Sequence, residues 1–214
     1  DEAQLEFRVA VWYGQDDQGF QDIQSNVDVH SYTSRIIGCS RQTAKAHTFK
    51  PLYGGTSGTA SEKHYYKAFR EKYSKIDKEQ SRWVDNALIN KQIELPTGMK
   101  FYFPSLKVTE SGYIEGNTSV RNYPVQYLAT AEIVPMALVY AWHSFKINNA
   151  KSFIVNTIHD SIICEVHPEE LNFFRETMSK ALRTFPVEYM EKIYGIDFNV
   201  PLEAEIKTGT HWGL

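Results

Sequence analysis

The chain has no run of 18 or more apolar residues, which excludes an ordinary membrane-spanning helix. It shows no secretory leader pattern and opens instead on Asp1-Glu2. Cysteine is scarce. Cys39 and Cys164 stand far apart without metal-type spacing, so they read as two reduced thiols of a cytosolic protein. Internal repeats, low-complexity tracts and obvious linkers are also missing. So is any excess of positive charge: the net formal charge of the 214 residues is -3, which looks wrong for a nucleic-acid enzyme.

The distribution of charge changes that view. Residues 1–34 hold one Lys/Arg against seven Asp/Glu, residues 35–110 fourteen against seven, and residues 111–214 eight against twelve. A basic middle between acidic flanks suits a protein that touches phosphates in one region and cations in another. For residues 62–82 alone, a solvated helical face is the simpler reading. The apolar share of 42% and charged share of 23% are ordinary for a folded domain.

Local patterns place the elements. Residues 5–13 read as a buried helix, with strand an alternative for so short an apolar run. A polar turn is expected from Gly14 to Gly19. Asp28 is a candidate cap for a helix through Ile37 closed by Gly38. Ser40 would cap a helix from Arg41 to about Lys50, ended by Pro51 and Gly54-Gly55. Residues 61–93 look mostly helical, and Thr97-Gly98 suggests a hairpin turn. Residues 123–146 predict one long helix with Pro124 near its start. Residues 153–166 predict a β-hairpin with His159-Asp160 at its tip, residues 168–193 further helix, and residues 200–214 a strand and terminal loop. Few strands, joined by hairpins, indicate a mixed α/β (α+β) fold with antiparallel pairing.

Arg41, Lys45, Phe49 and Tyr53 recur every four residues and would form one slowly drifting helical stripe. Cations can grip a polyphosphate while aromatics stack on a base. Taken alone, the stripe is more simply an exposed amphipathic helix. Asp1 and Asp160, if the fold unites them, can hold two Mg²⁺ ions for an in-line displacement at phosphorus. Taken alone, His159-Asp160-Ser161 is a common turn.

The ordered combination is distinctive. Asp1-x-x-Gln4-Leu5-Glu6-x-Arg8, Arg41-x-x-x-Lys45-x-x-x-Phe49-x-x-x-Tyr53-Gly54 and Ile158-His159-Asp160-Ser161 resemble the three polymerase motifs of family A (polymerase I-like) DNA polymerases. Val27-Asp28-Val29-His30, Asn122-Tyr123-Pro124-Val125-Gln126 and Gly209-Thr210-His211-Trp212 resemble the intervening and closing segments of the same family. The run Phe49-Lys50-Pro51-Leu52-Tyr53-Gly54-Gly55 resembles the bacteriophage branch.

The resemblance implies a palm with a small antiparallel sheet plus helical fingers, lacking thumb and exonuclease domain. Palm would comprise residues 1–26 and 111–214, and fingers residues 27–110. It implies a DNA-directed DNA polymerase with Asp1, Asp160 and Lys45 catalytic. Two Mg²⁺ ions, with Mn²⁺ as substitute, would sit on Asp1, Asp160 and the Glu2 carbonyl. Gln4, Glu6, His30, Arg41, Lys45, Phe49 and Tyr53 would bind the dNTP, with Glu6 where a ribose 2′-OH would lie. Asn122, Gln126 and His159 would meet DNA. Partners would be primer–template DNA, dNTPs and an N-terminal polymerase portion (thumb and 3′–5′ exonuclease) as a separate chain or missing segment, with no membrane. The location would be cytoplasmic, in the host cell if phage-encoded.

Two departures stand out. Ser161 replaces the Glu common after the His-Asp pair, removing an auxiliary carboxylate. Asp1 opens the chain where the family has a strand and upstream domains, which suggests part of a split, processed or truncated polymerase. A single-subunit RNA polymerase is an alternative, opposed by Glu6 and Phe49. A non-catalytic DNA-binding remnant is another, opposed by the retention of both aspartates.

Overall fold

The computed structural model describes residues 4–211. The chain forms two compact units, one spanning Glu6–Gln126 and the other built from Tyr127 onward.

The first of these units is helical. Helix α1 (Leu5–Gly14) resolves the helix-or-strand alternative: Phe7, Val9, Ala10 and Val11 are all buried, leaving no polar face over this stretch. The expected turn from Gly14 to Gly19 is shorter than the sequence suggests. Asp16 caps α2 (Asp17–Gln24) by accepting from Gly19 N at 2.9 Å. The same buried carboxylate accepts from Lys75 N and Ile76 N. Gly19 is needed for a close crossing, since a Cβ there would lie 2.4 Å from Val11 Cγ2. Asp28 and Ser40 cap α3 (Val29–Ile37) and α4 (Arg41–Thr48) as expected, and Gly38 closes α3 with φ 77. Helix α4 stops short of Lys50. Phe49 is its C-cap, and Pro51–Tyr53 winds as a 3-10 turn.

Residues 61–93 contain two helices, α5 (Ala60–Lys72) and α6 (Ser74–Asn90). They break at Tyr73 (φ -107, ψ 57). Its buried ring packs edge-on against Phe7, and its hydroxyl donates to Asp22 at 2.7 Å. β1 (Gln92–Glu94) pairs antiparallel with β2 (Lys100–Tyr102) around the expected turn. A second short hairpin, β3 (Lys107–Val108) and β4 (Ile114–Glu115), carries no clear sequence signal. Helix α7 (Asn117–Gln126) begins six residues before the expected start and contains Pro124 within it.

The other unit opens not with regular α-helix but with a π-helical segment, Tyr127–Ile133, followed by α8 (Val134–Ile147). The single helix expected over residues 123–146 is therefore two windings. β5 (Phe153–Ile158) and β6 (Ser161–Glu165) form the expected antiparallel hairpin, with an irregularity between Ile154 and Asn156. Helices α9 (Leu171–Arg183) and α10 (Phe185–Tyr194) follow. Ala137, Ala141 and Phe145 from α8 pack on Phe174, Met178 and Leu182 from α9, with Ile154, Ile162 and Cys164 of the hairpin against them. Burial pushes the Cys164 thiol up to about 11, consistent with an unreactive side chain. The strand expected after residue 200 is reduced to a single bridge residue, Ala204. Val200, Leu202 and Ala204 do alternate inward, but Arg183 Nη2 takes the Ala204 carbonyl at 2.9 Å.

Candidate active site

Within Glu6–Gln126, residues distant in sequence converge. Gln126 Nε2 donates to Glu6 Oε1 at 3.2 Å and to the Tyr53 hydroxyl at 3.3 Å. Burial, and then the Glu6 charge, push the Tyr53 phenol above its ordinary value, so it stays neutral. Phe49 stacks on Phe7 with centroids 6.2 Å apart and meets the His30 ring edge-on at 5.6 Å. The single helical stripe expected from Arg41, Lys45, Phe49 and Tyr53 therefore ends with α4, because Phe49 is its C-cap and Tyr53 lies in the following 3-10 turn. The last two leave the helix and turn their rings to separate neighbours.

Asp28 organises the cationic end. Its carboxylate caps α3 through His30 N and Ser31 N, accepts from Ser31 Oγ at 2.7 Å, and accepts from Arg41 Nε at 2.7 Å. The Arg41 hydrogen bond is the main reason its carboxyl lies far below the usual range. Arg41 and Lys45 are exposed on α4. His30 is half-buried, with Nδ1 3.0 Å from Thr48 Oγ1. Burial lowers its pKa first; Asp28 opposes this, and Arg41 and Lys45 add to it. His30 is therefore neutral at pH 7.

Arg121 has no counterpart among the expected site residues. It is buried on α7 and donates to Asp77 at 2.9 Å, Ser81 at 3.0 Å and Asn117 at 3.1 Å. Gln80 links it to the Leu52 carbonyl at 2.8 Å. Its Cδ lies 2.8 Å from where a Gly54 Cβ would stand, and Gly54 takes φ 77. Arg121 thereby supports the turn that carries Tyr53. The Tyr53-Gly54 pair hints at a close approach there, but nothing in the sequence names Arg121 as its cause. Asn122 follows it, one helical turn before Gln126, and its Oδ1 is buried without a hydrogen-bond partner among the described residues.

In the other unit, His159 and Asp160 form a two-residue hairpin tip between Ile158 and Ser161. His159 is exposed with φ 54, as the first position of a tight hairpin turn requires. That conformation disfavours non-glycine residues. Asp160 is half-buried. Gln4 precedes α1 with φ 56. Asp1 and Glu2 lie outside the described residues. Among the described residues no group of three or more His, Cys, Asp or Glu could hold a metal. The expected ligands, two carboxylates and a backbone carbonyl, are all oxygen donors, which fits Mg²⁺.

A family model described as DNA polymerase family A matches residues 1–214. The chain is 26% identical over 233 residues to DNA polymerase I of Caldicellulosiruptor bescii, covering 99% of this chain and 26% of that protein. It is 26% identical over 237 residues to DNA polymerase I of Borreliella burgdorferi, covering 100% of this chain and 24% of that protein. The chain thus spans about a quarter of the length of these curated relatives. Among solved structures, the POL domain of Pol1 from M. smegmatis in complex with DNA primer-template and dNTP has a similar fold. Its TM-score is 0.72 at 20% identity, over 95% of this chain and 37% of that one.

Proposed function

This chain belongs to DNA polymerase family A, and from that premise we propose that it carries out template-directed transfer of a nucleotide from a dNTP to a primer 3′-OH. Palm would comprise residues 1–26 and 111–214, and fingers residues 27–110. The observation that carries the proposal is the meeting of Glu6, Tyr53 and Gln126 through hydrogen bonds across 120 and 73 residues of sequence. No helix cap requires these three polar groups to share partners, and a site for a polar ligand would use them.

Arg41, Lys45 and His30 bind the triphosphate. The fixed cations Arg41 and Lys45, with neutral His30 as a hydrogen-bonding partner, stabilise the charge that develops on the phosphates, where most catalytic power in phosphoryl transfer lies. Asp28 holds Arg41 by Nε only, which leaves the fork of terminal nitrogens to the phosphates. Phe49 and Tyr53 border the sugar and base, and Glu6, held by Gln126, excludes a ribose 2′-OH. Asn122 and Gln126 reach the minor-groove edge of the new pair, where acceptors are similar for all correct pairs. The unpartnered Asn122 Oδ1 supports that role. His159 approaches the primer terminus. Asp1, Asp160 and the Glu2 carbonyl would hold two Mg²⁺ ions, which supply activation of the attacking hydroxyl and charge relief on the leaving phosphate when bound.

We place the chain in the bacteriophage branch, on the strength of its Phe49 to Gly55 run. It works with an upstream polymerase portion carrying thumb and exonuclease, in keeping with the quarter of its relatives that it spans. The test is primer extension on a defined template with Mg²⁺, one dNTP at a time, with that portion supplied. Extension confined to the complementary dNTP is expected. Extension regardless of template, or with rNTPs as readily as dNTPs, would defeat the reading.

A further inference from the structure

Neither Arg121 nor Gln80 is placed against dNTP or DNA, yet both are buried, with 9% and 2% of their surface exposed. A buried guanidinium is costly unless it is paired and its remaining N–H groups are bonded. Here Nε donates to Asn117, Nη1 to Asp77 and Gln80, and Nη2 to Ser81. Every nitrogen of the group is engaged within the protein, which leaves none for a phosphate.

Joining α6 to α7 does not require this chemistry. Well-packed apolar side chains of similar volume often serve as well or better. What the polar pair adds is direction. Gln80 Oε1 accepts from Arg121 Nη1 at 3.4 Å, and Gln80 Nε2 donates to the Leu52 carbonyl at 2.8 Å. Leu52 immediately precedes Tyr53 and is itself buried. On the other side of Tyr53, the Arg121 side chain passes so close to Gly54 that a Cβ there would lie 2.8 Å from its Cδ. One pair of side chains therefore braces the backbone before and after Tyr53. The hydroxyl is a third fixed point, accepting from Gln126 Nε2 at 3.3 Å. Gln126 and Arg121 both belong to α7. A ring held at its backbone and at its hydroxyl keeps few alternative rotamers. A wall that does not yield rejects a misshapen occupant by clash.

We propose that Arg121 and Gln80 are positioning residues for nucleotide selection: they hold Tyr53 rigid, so that a wrongly paired base cannot push its ring aside. The inference rests on the polymerase reading above. Arg121 and Gln80 act through Tyr53 and touch no reacting atom.

The test measures single-nucleotide incorporation, complementary against non-complementary dNTP, by the full-length protein with its upstream portion supplied. Gln80→Met nearly keeps the volume and loses the bond to Leu52. Arg121→Lys keeps the charge and loses the fork. Urea midpoints establish that each variant folds. In either variant kcat for the correct dNTP should stay within a few-fold of the unmodified protein. Discrimination, the ratio of kcat/KM for correct and incorrect dNTP, should fall roughly threefold to tenfold, the net worth of one hydrogen bond. A merely structural role would not give the next result. In a Tyr53→Ala background, either substitution should leave discrimination where Tyr53→Ala alone puts it, because the residue it acts through is gone. Unchanged discrimination in a folded variant, or a loss that adds to that of Tyr53→Ala, overturns the assignment. So does failure of both variants to fold, which would make the network a structural one. If the unmodified protein selects the complementary dNTP and the folded variants match it, the positioning role alone fails. If it incorporates without regard to template, the polymerase reading fails with it.

Discussion

At the residue scale, Asp28 has the most local consequences. One carboxylate starts α3 and ties Arg41 at the start of α4. Asp28→Ala should cost about 1 kcal/mol of stability, the typical worth of an N-cap, readable as a lower urea midpoint at unchanged slope. It should also weaken dNTP binding, because Arg41 loses its anchor. Phe49 gives a sharper test of function. Its ring stands between Phe7 and His30 and offers no hydroxyl. Phe49→Tyr should raise dideoxy-NTP incorporation relative to dNTP by roughly tenfold or more, the worth of one hydrogen bond to a charged group. An unchanged ratio in competition assays would remove Phe49 from the sugar pocket. Asp28, Ser40 and Gly38 were legible in the sequence because a cap is chemistry between residues two to four apart. The Gln126 bonds to Glu6 and Tyr53 were not, because only the tertiary fold joins residues so distant. The family resemblance named all three residues, but the residues themselves gave no hint that they share a hydrogen-bond donor.

At the element scale, the β5–β6 hairpin was legible. Alternating apolar and polar residues on either side of a polar pair leave little other choice. The π-helical winding of Tyr127–Ile133 was not. A largely apolar stretch such as 124–141 fits more than one helical period, and Pro124 suggested a start rather than an interior position. The division of α5 from α6 was hidden for a similar reason: the Glu/Lys pattern continues across Tyr73, whose anchor is the distant Asp22. The turn before α9 carries a pH-dependent prediction. Glu170 accepts from Lys151 N, Ser152 N and Ser152 Oγ. These bonds, the Ser152 hydroxyl first, hold its carboxyl down to about 2. A lowered folded-state value stabilises above the unfolded value of about 4.3 and is lost as pH falls toward 2. The thermal midpoint should therefore decline over that window, and Glu170→Gln should make the decline shallower. An identical acid limb in the variant would show that Glu170 contributes nothing there.

At the scale of the whole molecule, a net charge of -3 is compatible with the proposed DNA substrate because the positive charge is concentrated in residues 35–110. The helices carrying Arg41, Lys45, Lys63, Lys67 and Arg70 all lie there. Composition alone would have pointed elsewhere, since net charge averages over regions with different tasks. The central claim is metal-dependent nucleotidyl transfer at a site that includes Asp160. It is tested most directly by single-turnover incorporation of a correct dNTP, comparing unmodified protein with Asp160→Ala alongside primer–template affinity. Loss of one carboxylate that acts mainly in the transition state should lower the rate about 10³-fold or more. Affinity for primer–template should stay nearly constant, because the phosphate contacts come from Lys and Arg elsewhere. A rate within a few-fold of the unmodified protein, with DNA binding intact, would contradict the account.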